Sequence, residues 1–208
     1  MRNEHVIADE ATLRAVLGQP NDIVRSKVAD RLNELTRRFV EVSPFVCLAT
    51  SAPDGTCDVT PRGDPPGFVR ILDDRTLLMP ERPGNRLADS LRNVLGNPRL
   101  GLLFVVPGVT DTLRVNGRAS IVDDPELLAP CAVEGKTPAL GLLIEVEEVF
   151  THCSKAFLRA QLWDPERFVD RSELPSPGAI MARVNEAVDP QTYDADRAER
   201  YERREGFY

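Results

Sequence analysis

Three stretches of this 208-residue chain combine cations, polar groups and backbone freedom in a pattern suited to a flat, anionic ligand. The first is Thr60-Pro61-Arg62-Gly63-Asp64. Arginine offers a rigid fork of donors matched to phosphate, and a glycine beside it lets a flat molecule approach the main chain. A surface turn closed by an Arg–Asp pair would use the same residues. The second is Pro83-Gly84-Asn85-Arg86, which the pattern places at the opening of a helix from Arg86 to Leu95. Free N–H groups at a helix start favour an anion; Asn85 and Arg86 add donors, and Ser90 lies one turn on. Ordinary loop-to-helix junctions share this composition. The third is Thr151-His152-Cys153-Ser154-Lys155, followed by Arg159 and Trp163. Lys155, Arg159 and Trp163 recur every fourth residue, so a continuous helix would carry two cations and an indole on one face. That face could cover a flat anion, or be a solvated face with a packed tryptophan.

Other chemistries are poorly served. Cys47, Cys57, Cys131 and Cys153 form no CxxC pair, so a zinc site lacks paired ligands. Only His5 and His152 could bring an imidazole to haem. His152 and Cys153 are adjacent, but neighbours along a chain rarely face each other and no third residue completes a catalytic set. Asp123-Asp124 and Glu145, Glu147 and Glu148 read as exposed carboxylates rather than metal ligands. Neither glycine-rich nucleotide signature, G-x-G-x-x-G or G-x-x-x-x-G-K-[ST], is present.

Net charge is −7 and the isoelectric point is near 5.0, a surface that repels phosphate backbones and disfavours a nucleic-acid partner. No apolar run approaches the ~20 residues that span a bilayer, so no membrane partner is expected. The opening MRNEHVIADE is too acidic and polar for a signal peptide. With unpaired cysteines, this points to a cytoplasmic protein.

The elements that must position these residues follow from periodicity. Asp9 can cap a short helix that ends at Gly18-Gln19-Pro20. From Asp22, the spacing of Val24, Val28, Leu32, Leu35 and Phe39 predicts one helix of about five turns. Phe45–Thr50 and Thr56–Thr60 read as strands of a hairpin around Asp54-Gly55. Phe68–Ile71 and Thr76–Met79 are short extended runs, and Leu87, Leu91 and Leu95 mark the expected buried face of the following helix. Strands are expected over Leu100–Val106, Thr112–Val122 and Leu142–Val149, with helices over 125–133 and 154–162. Beyond Asp164 the chain is polar and broken by prolines, and Ala195–Glu205 reads as a solvated helix or frayed tail. Six or seven strands with hairpin connections and one inserted helix predict a mainly β, α+β fold. This is an antiparallel barrel over 42–165, with a helical extension over 1–41 and a polar tail over 166–208.

Residues 43 to 163 resemble the FMN-binding split barrel of pyridoxamine 5′-phosphate oxidase and its relatives, in a divergent subgroup. The resemblance rests on three segments in order: Leu78-Met79-Pro80 through Asn85-Arg86; Leu91 through Asn97-Pro98-Arg99 into the apolar Leu100-Gly101-Leu102-Leu103-Phe104; and Leu113-Arg114-Val115-Asn116-Gly117-Arg118-Ala119. It implies FMN as cofactor. Arg62 would contact the phosphate and ribityl chain, with Thr60, Pro61 and Gly63 along the flavin. Asn85 and Arg86 would clamp the phosphate, where the family usually has Arg-Lys. Met79 and Pro80 would pass the ring, and Thr112 or Arg114 would approach it from the next strand. It implies a homodimer with the site at the interface, so that Lys155, Arg159 and Trp163 could come from the second subunit. The Arg-x-His-Asp-Arg type segment that holds the substrate phosphate in the oxidase is absent, and Asp170-Arg171-Ser172-Glu173-Leu174-Pro175 stands in its place. Vitamin B6 oxidation is therefore not expected. The resemblance implies an FMN-dependent oxidoreductase of a small molecule; an F420-dependent reductase and a non-catalytic flavin-binding protein are the alternatives.

Overall fold

The computed structural model describes residues 5–208. Residues 1–4, part of the opening stretch judged too polar for a signal peptide and of the expected helical extension, lie outside the described residues. Helix α1 (Glu10–Leu17) forms as its sequence dictates: the Asp9 carboxylate accepts from the Thr12 N–H, and Gly18, at φ 76°, closes the last turn.

The single helix expected from Asp22 does not form. Helix α2 (Asp22–Ser26) is capped by Asn21 and ends after one turn, and α3 (Glu34–Val42) starts afresh at a capping box between Asn33 and Thr36. Between them the chain is held extended by distant partners. Ala29 exchanges two main-chain hydrogen bonds with Val149, at 2.9 and 2.8 Å, and the Leu32 N–H donates to the Asp74 carbonyl at 2.8 Å. These groups are then lost to any local helix, so the apolar stripe divides. Leu32 and Val40 are buried and Phe39 packs beside them, while Val24, Val28 and Leu35 are exposed. Asp30 anchors the same link. Hydrogen bonds from Arg31 and Arg75 hold its carboxyl down at about 2.

The sheet comprises β1 (Phe45–Ser51), β2 (Cys57–Gly63), β3 (Arg70–Ile71), β4 (Thr76–Pro80), β5 (Arg99–Val105), β6 (Thr112–Val122) and β7 (Gly141–His152), with α4 (Asp89–Gly96) inserted after β4. The order is β2-β1-β5-β6-β7-β4-β3, and every neighbouring pair is antiparallel. The sheet curls around a core of Val46, Leu48, Leu77, Leu102, Phe104, Leu113, Val115 and Ile144. Its two end strands do not pair. The α+β class and antiparallel pairing are those the strand pattern predicts; the sheet is left open at its ends, consistent with the split barrel that the family resemblance implies.

The β1–β2 hairpin turns where expected, with Gly55 at φ 90° and the Thr56 N–H bonded to the Asp54 carboxylate at 2.9 Å. The Phe68–Ile71 run yields only the two-residue β3, because Phe68 and Val69 turn into the core. A register shift lies between Asn116 and Gly117. A Cβ at position 117 would sit 2.0 Å from the Glu145 carbonyl oxygen, so only glycine allows β6 and β7 this approach.

The expected helix over 125–133 resolves into α5 (Pro125–Leu128) and a 3-10 turn (Ala129–Cys131), since Pro130 cannot continue the α-helical ladder. Helix α6 covers Lys155–Ala160. In the polar tail, α7 (Pro177–Val184) and α8 (Pro190–Glu202) pack as a pair, joined by a hydrogen bond from the Gly178 N–H to Asp194 at 2.8 Å. Helix α8 buries no residue, as its composition predicts. The chain end beyond it is not frayed: Tyr208 packs against the barrel.

Candidate functional site

A cleft of ≈ 580 Å³ opens between β2, at one end of the sheet, and the segment from Pro80 to Leu91. One wall carries Thr60, Pro61, Arg62 and Gly63, and the other carries Pro80, Asn85, Arg86 and Ser90. Two stretches distant along the chain, each a weak signal alone, thus face one another.

The second wall is an irregular turn followed by a helix. Arg86 (φ 63°) and Ala88 (φ 58°) both adopt the left-handed conformation, which costs a non-glycine residue roughly 1–2 kcal/mol. They delay α4 to Asp89, three residues later than the sequence predicts. Ala88 stands at the N-cap and has no side chain to cap with, while Asn85 accepts from the Leu87 N–H at 3.0 Å. The first-turn N–H groups of α4 therefore keep their positive end free of a side-chain cap.

The later start also rotates the helix. Its buried residues are Ser90, Asn93 and Val94. Of the three leucines expected inside, Leu91 packs on the core, whereas Leu87 and Leu95 are 61% and 77% exposed. Asn93 fixes this rotation by donating to Thr50 at 3.0 Å and to Asp58 at 2.7 Å.

Charge in the cleft is largely paired. Arg62 donates to both oxygens of Glu81 at 2.6 Å, and its Nε is buried without a partner among the described residues. The Arg–Asp turn that could have used Arg62 does not form. Asp64, its side chain 2% exposed, instead accepts from Arg82 Nε at 2.6 Å, and Arg82 also donates to the Cys131 carbonyl at 2.7 Å. Arg86 is exposed and makes no ion pair among the described residues. This end of the cleft offers a phosphate-sized anion one free cation, uncapped helix amides and a buried hydroxyl, Ser90, against one carboxylate, Asp89, which opens the helix and lies 3.8 Å from Arg92. The side chains present fit the anionic end of FMN there.

Other expected site residues lie elsewhere. Met79 is 1% exposed within the core and does not line the cleft. Thr112 is buried on β6, and Arg114 lies over the Phe150 ring of β7 at 3.8 Å, with its Nε unpartnered among the described residues. Lys27 reaches the same ring at 5.0 Å. Burial, then Arg114 and Lys27, push the neighbouring His152 below the usual imidazole range.

Helix α6 stops at Ala160, where Gln161 turns left-handed at φ 49°. Trp163 therefore does not share a helix face with Lys155 and Arg159. Its indole N–H donates to the Val109 carbonyl at 2.9 Å, and its ring lies 5.9 Å from Phe157. Lys155 and Arg159 are exposed. Sequence reasoning missed Glu81, Arg82 and Tyr208, which belong to no local pattern and meet only through the fold.

The family model described as pyridoxamine 5′-phosphate oxidase matches residues 32–153. No curated protein matches the sequence. Among solved structures, HupZ of Group A Streptococcus is 18% identical over 58% of this chain and 93% of its own, with a TM-score of 0.48. An FAD-binding protein from Mesorhizobium loti is 20% identical over 60% of this chain and 96% of its own, at a TM-score of 0.41. An F420 reductase is 22% identical over 58% of this chain and 98% of its own, at 0.42.

Proposed function

The chain belongs to the pyridoxamine 5′-phosphate oxidase family, and on that premise we propose that it is an FMN-dependent oxidoreductase acting on a small organic substrate. The observation that carries the reading is the meeting of uncapped α4 amides with the unpaired Arg86 at one end of a ≈ 580 Å³ cleft. That volume lies within the usual range for cofactor sites.

When bound, FMN would supply the chemistry, accepting a hydride from the substrate. The chain's own groups bind and orient it. Arg86, Asn85, Ser90 and the first-turn amides of α4 hold the phosphate. Arg62, itself fixed by Glu81, offers its remaining N–H groups to the phosphate or ribityl chain. The main chain at Thr60, Pro61 and Gly63 lines the wall beside the ring. In a homodimer, the β6 residues Thr112 and Arg114 would come from the second copy, and Arg114 would stabilise negative charge on the cofactor. Lys155 and Arg159, exposed on α6, are available to the same interface. The C-terminal phosphate-holding segment of the vitamin B6 oxidase is absent, so another substrate is expected.

The test is an absorbance spectrum of the purified protein, with any released chromophore identified by mass. Flavin bands and FMN released on denaturation support the reading. A colourless protein that also fails to bind added FMN overturns it and directs the search to F420. A bound flavin that no donor reduces supports a binding protein rather than an enzyme.

A further inference from the structure

The end of the polar tail touches the back of the cleft wall. Tyr208 donates its phenol O–H to Asp64 Oδ1 at 2.8 Å, opposite the oxygen that accepts from Arg82. The Arg82 guanidinium lies 5.2 Å from the Tyr208 ring centre, and Lys136 donates to the Tyr208 main-chain oxygen at 3.1 Å. Arg204 secures the approach by pairing with Glu134 at 2.8 Å and lying over the Phe207 ring at 5.2 Å.

Asp64 follows directly on the Arg62-Gly63 wall, and Arg82 stands beside Glu81, the partner of Arg62. One tyrosine thereby ties together the ends of both walls. Behind the Glu81–Pro83 segment, with Tyr208 as one side, lies a second cavity of ≈ 300 Å³. Glu81, Arg82 and Pro83 separate it from the cleft and line both.

We propose that Tyr208 is a positioning residue of the cofactor site, and that docking of residues 204–208 sets the turn that binds the anion. The physical argument is one of satisfaction and support. Without the phenol, Asp64 Oδ1 loses the one side-chain donor it has among the described residues, at a carboxylate nearly closed to water. Without the ring, Arg82 loses its cover and the 81–83 wall stands between two open cavities. That wall leads straight into Arg86 and the start of α4, whose left-handed residues persist only where their surroundings hold them. Coupling is reciprocal, so a ligand at Arg86 also stabilises the docked tail.

This rests on the cleft being the FMN site, and the experiment separates the two. Amide hydrogen exchange is measured on the full chain, wild type, Tyr208→Ala and Tyr208→Phe, and FMN affinity is titrated by fluorescence quenching. In Tyr208→Ala, exchange rises most at residues 81–91, the rest of the barrel keeps its pattern of protection, and the melting temperature falls by a few degrees. FMN then binds about tenfold more weakly, in the usual range of coupling between sites. Tyr208→Phe, which keeps the ring over Arg82, recovers part of that loss. FMN raises protection at residues 204–208 of the wild type.

Unchanged exchange at 81–91 in Tyr208→Ala, a loss of protection spread over the whole barrel, or an unaltered FMN affinity overturns the proposal. A wild type that binds no FMN overturns the functional reading instead. The positioning role then stands or falls on the exchange data alone.

Discussion

Two arginines line the same cleft but are differently employed. Arg86 is exposed and unpaired among the described residues, whereas Arg62 is committed to Glu81. Removing a charge-assisted hydrogen bond to phosphate costs about 1.5–3 kcal/mol, or roughly 10- to 150-fold in affinity. Arg86→Ala is accordingly expected to weaken FMN binding by that factor, with stability changed by no more than about 0.5 kcal/mol, as at other surface positions. Arg62→Ala should show the reverse balance. It leaves Glu81, its side chain 23% exposed, without its partner, a loss of about 1–3 kcal/mol in stability. Its effect on FMN should be smaller than that of Arg86→Ala, because most of the Arg62 charge is already neutralised. Flavin titration and denaturant unfolding of both variants check the pair. Unaltered FMN retention in both variants sinks the phosphate assignment.

At the level of elements, the glycine with the least room for a side chain is Gly117, where β6 meets β7. An added methyl there would meet the Glu145 main chain rather than a movable side chain. Gly117→Ala should therefore cost about 3 kcal/mol or more, beyond an ordinary overpacked site, visible as a lower denaturant midpoint with an unchanged slope. The β-hairpin at Asp54-Gly55 was legible in the sequence because its determinants are adjacent. The break between α2 and α3 was not, because the groups that hold Ala29 extended belong to Val149, 120 residues away. The start of α4 was hidden for a similar reason. Nothing local in Arg86-Leu87-Ala88 calls for two left-handed residues, and the helix rotation depends on Asn93 finding Thr50 and Asp58 across the fold. The site was half legible: composition marked both walls of the cleft, but not the carboxylates that pair with their arginines. Trp163 misled through spacing, since a four-residue repeat means a shared face only while the helix continues.

On the whole molecule, the outer face of the sheet divides into a charged part around Arg99, Arg118 and Glu145 and a part poor in charge. Register sets Pro61, Cys47, Leu103, Arg114 and Phe150 in one row across β2, β1, β5, β6 and β7. The next row places Val59, Ala49, Gly101, Asn116 and Glu148 side by side, with Val59 71% exposed and Glu148 accepting from Asn116 at 2.7 Å. Side chains that are mostly small or apolar in this part of the face, with one arginine nitrogen unpartnered among the described residues, suit contact with another protein surface. The proposed homodimer through this face would cover it and bring Arg114 of one copy toward the cleft of the other, reconciling the two separate clusters within each chain. Leu103→Lys tests that assembly, because it places a second cation directly across from Arg114 at the centre of the contact while leaving the core of the barrel untouched. Sedimentation should show the mass fall from a dimer to a single chain of 23.1 kDa, with the circular dichroism spectrum preserved. FMN binding should fall with it, since each cleft would lose the groups contributed by its neighbour. A Leu103→Lys protein that remains dimeric, or a monomer that holds FMN as tightly as the wild type, would place the cofactor site wholly within one chain and leave Arg114 outside it.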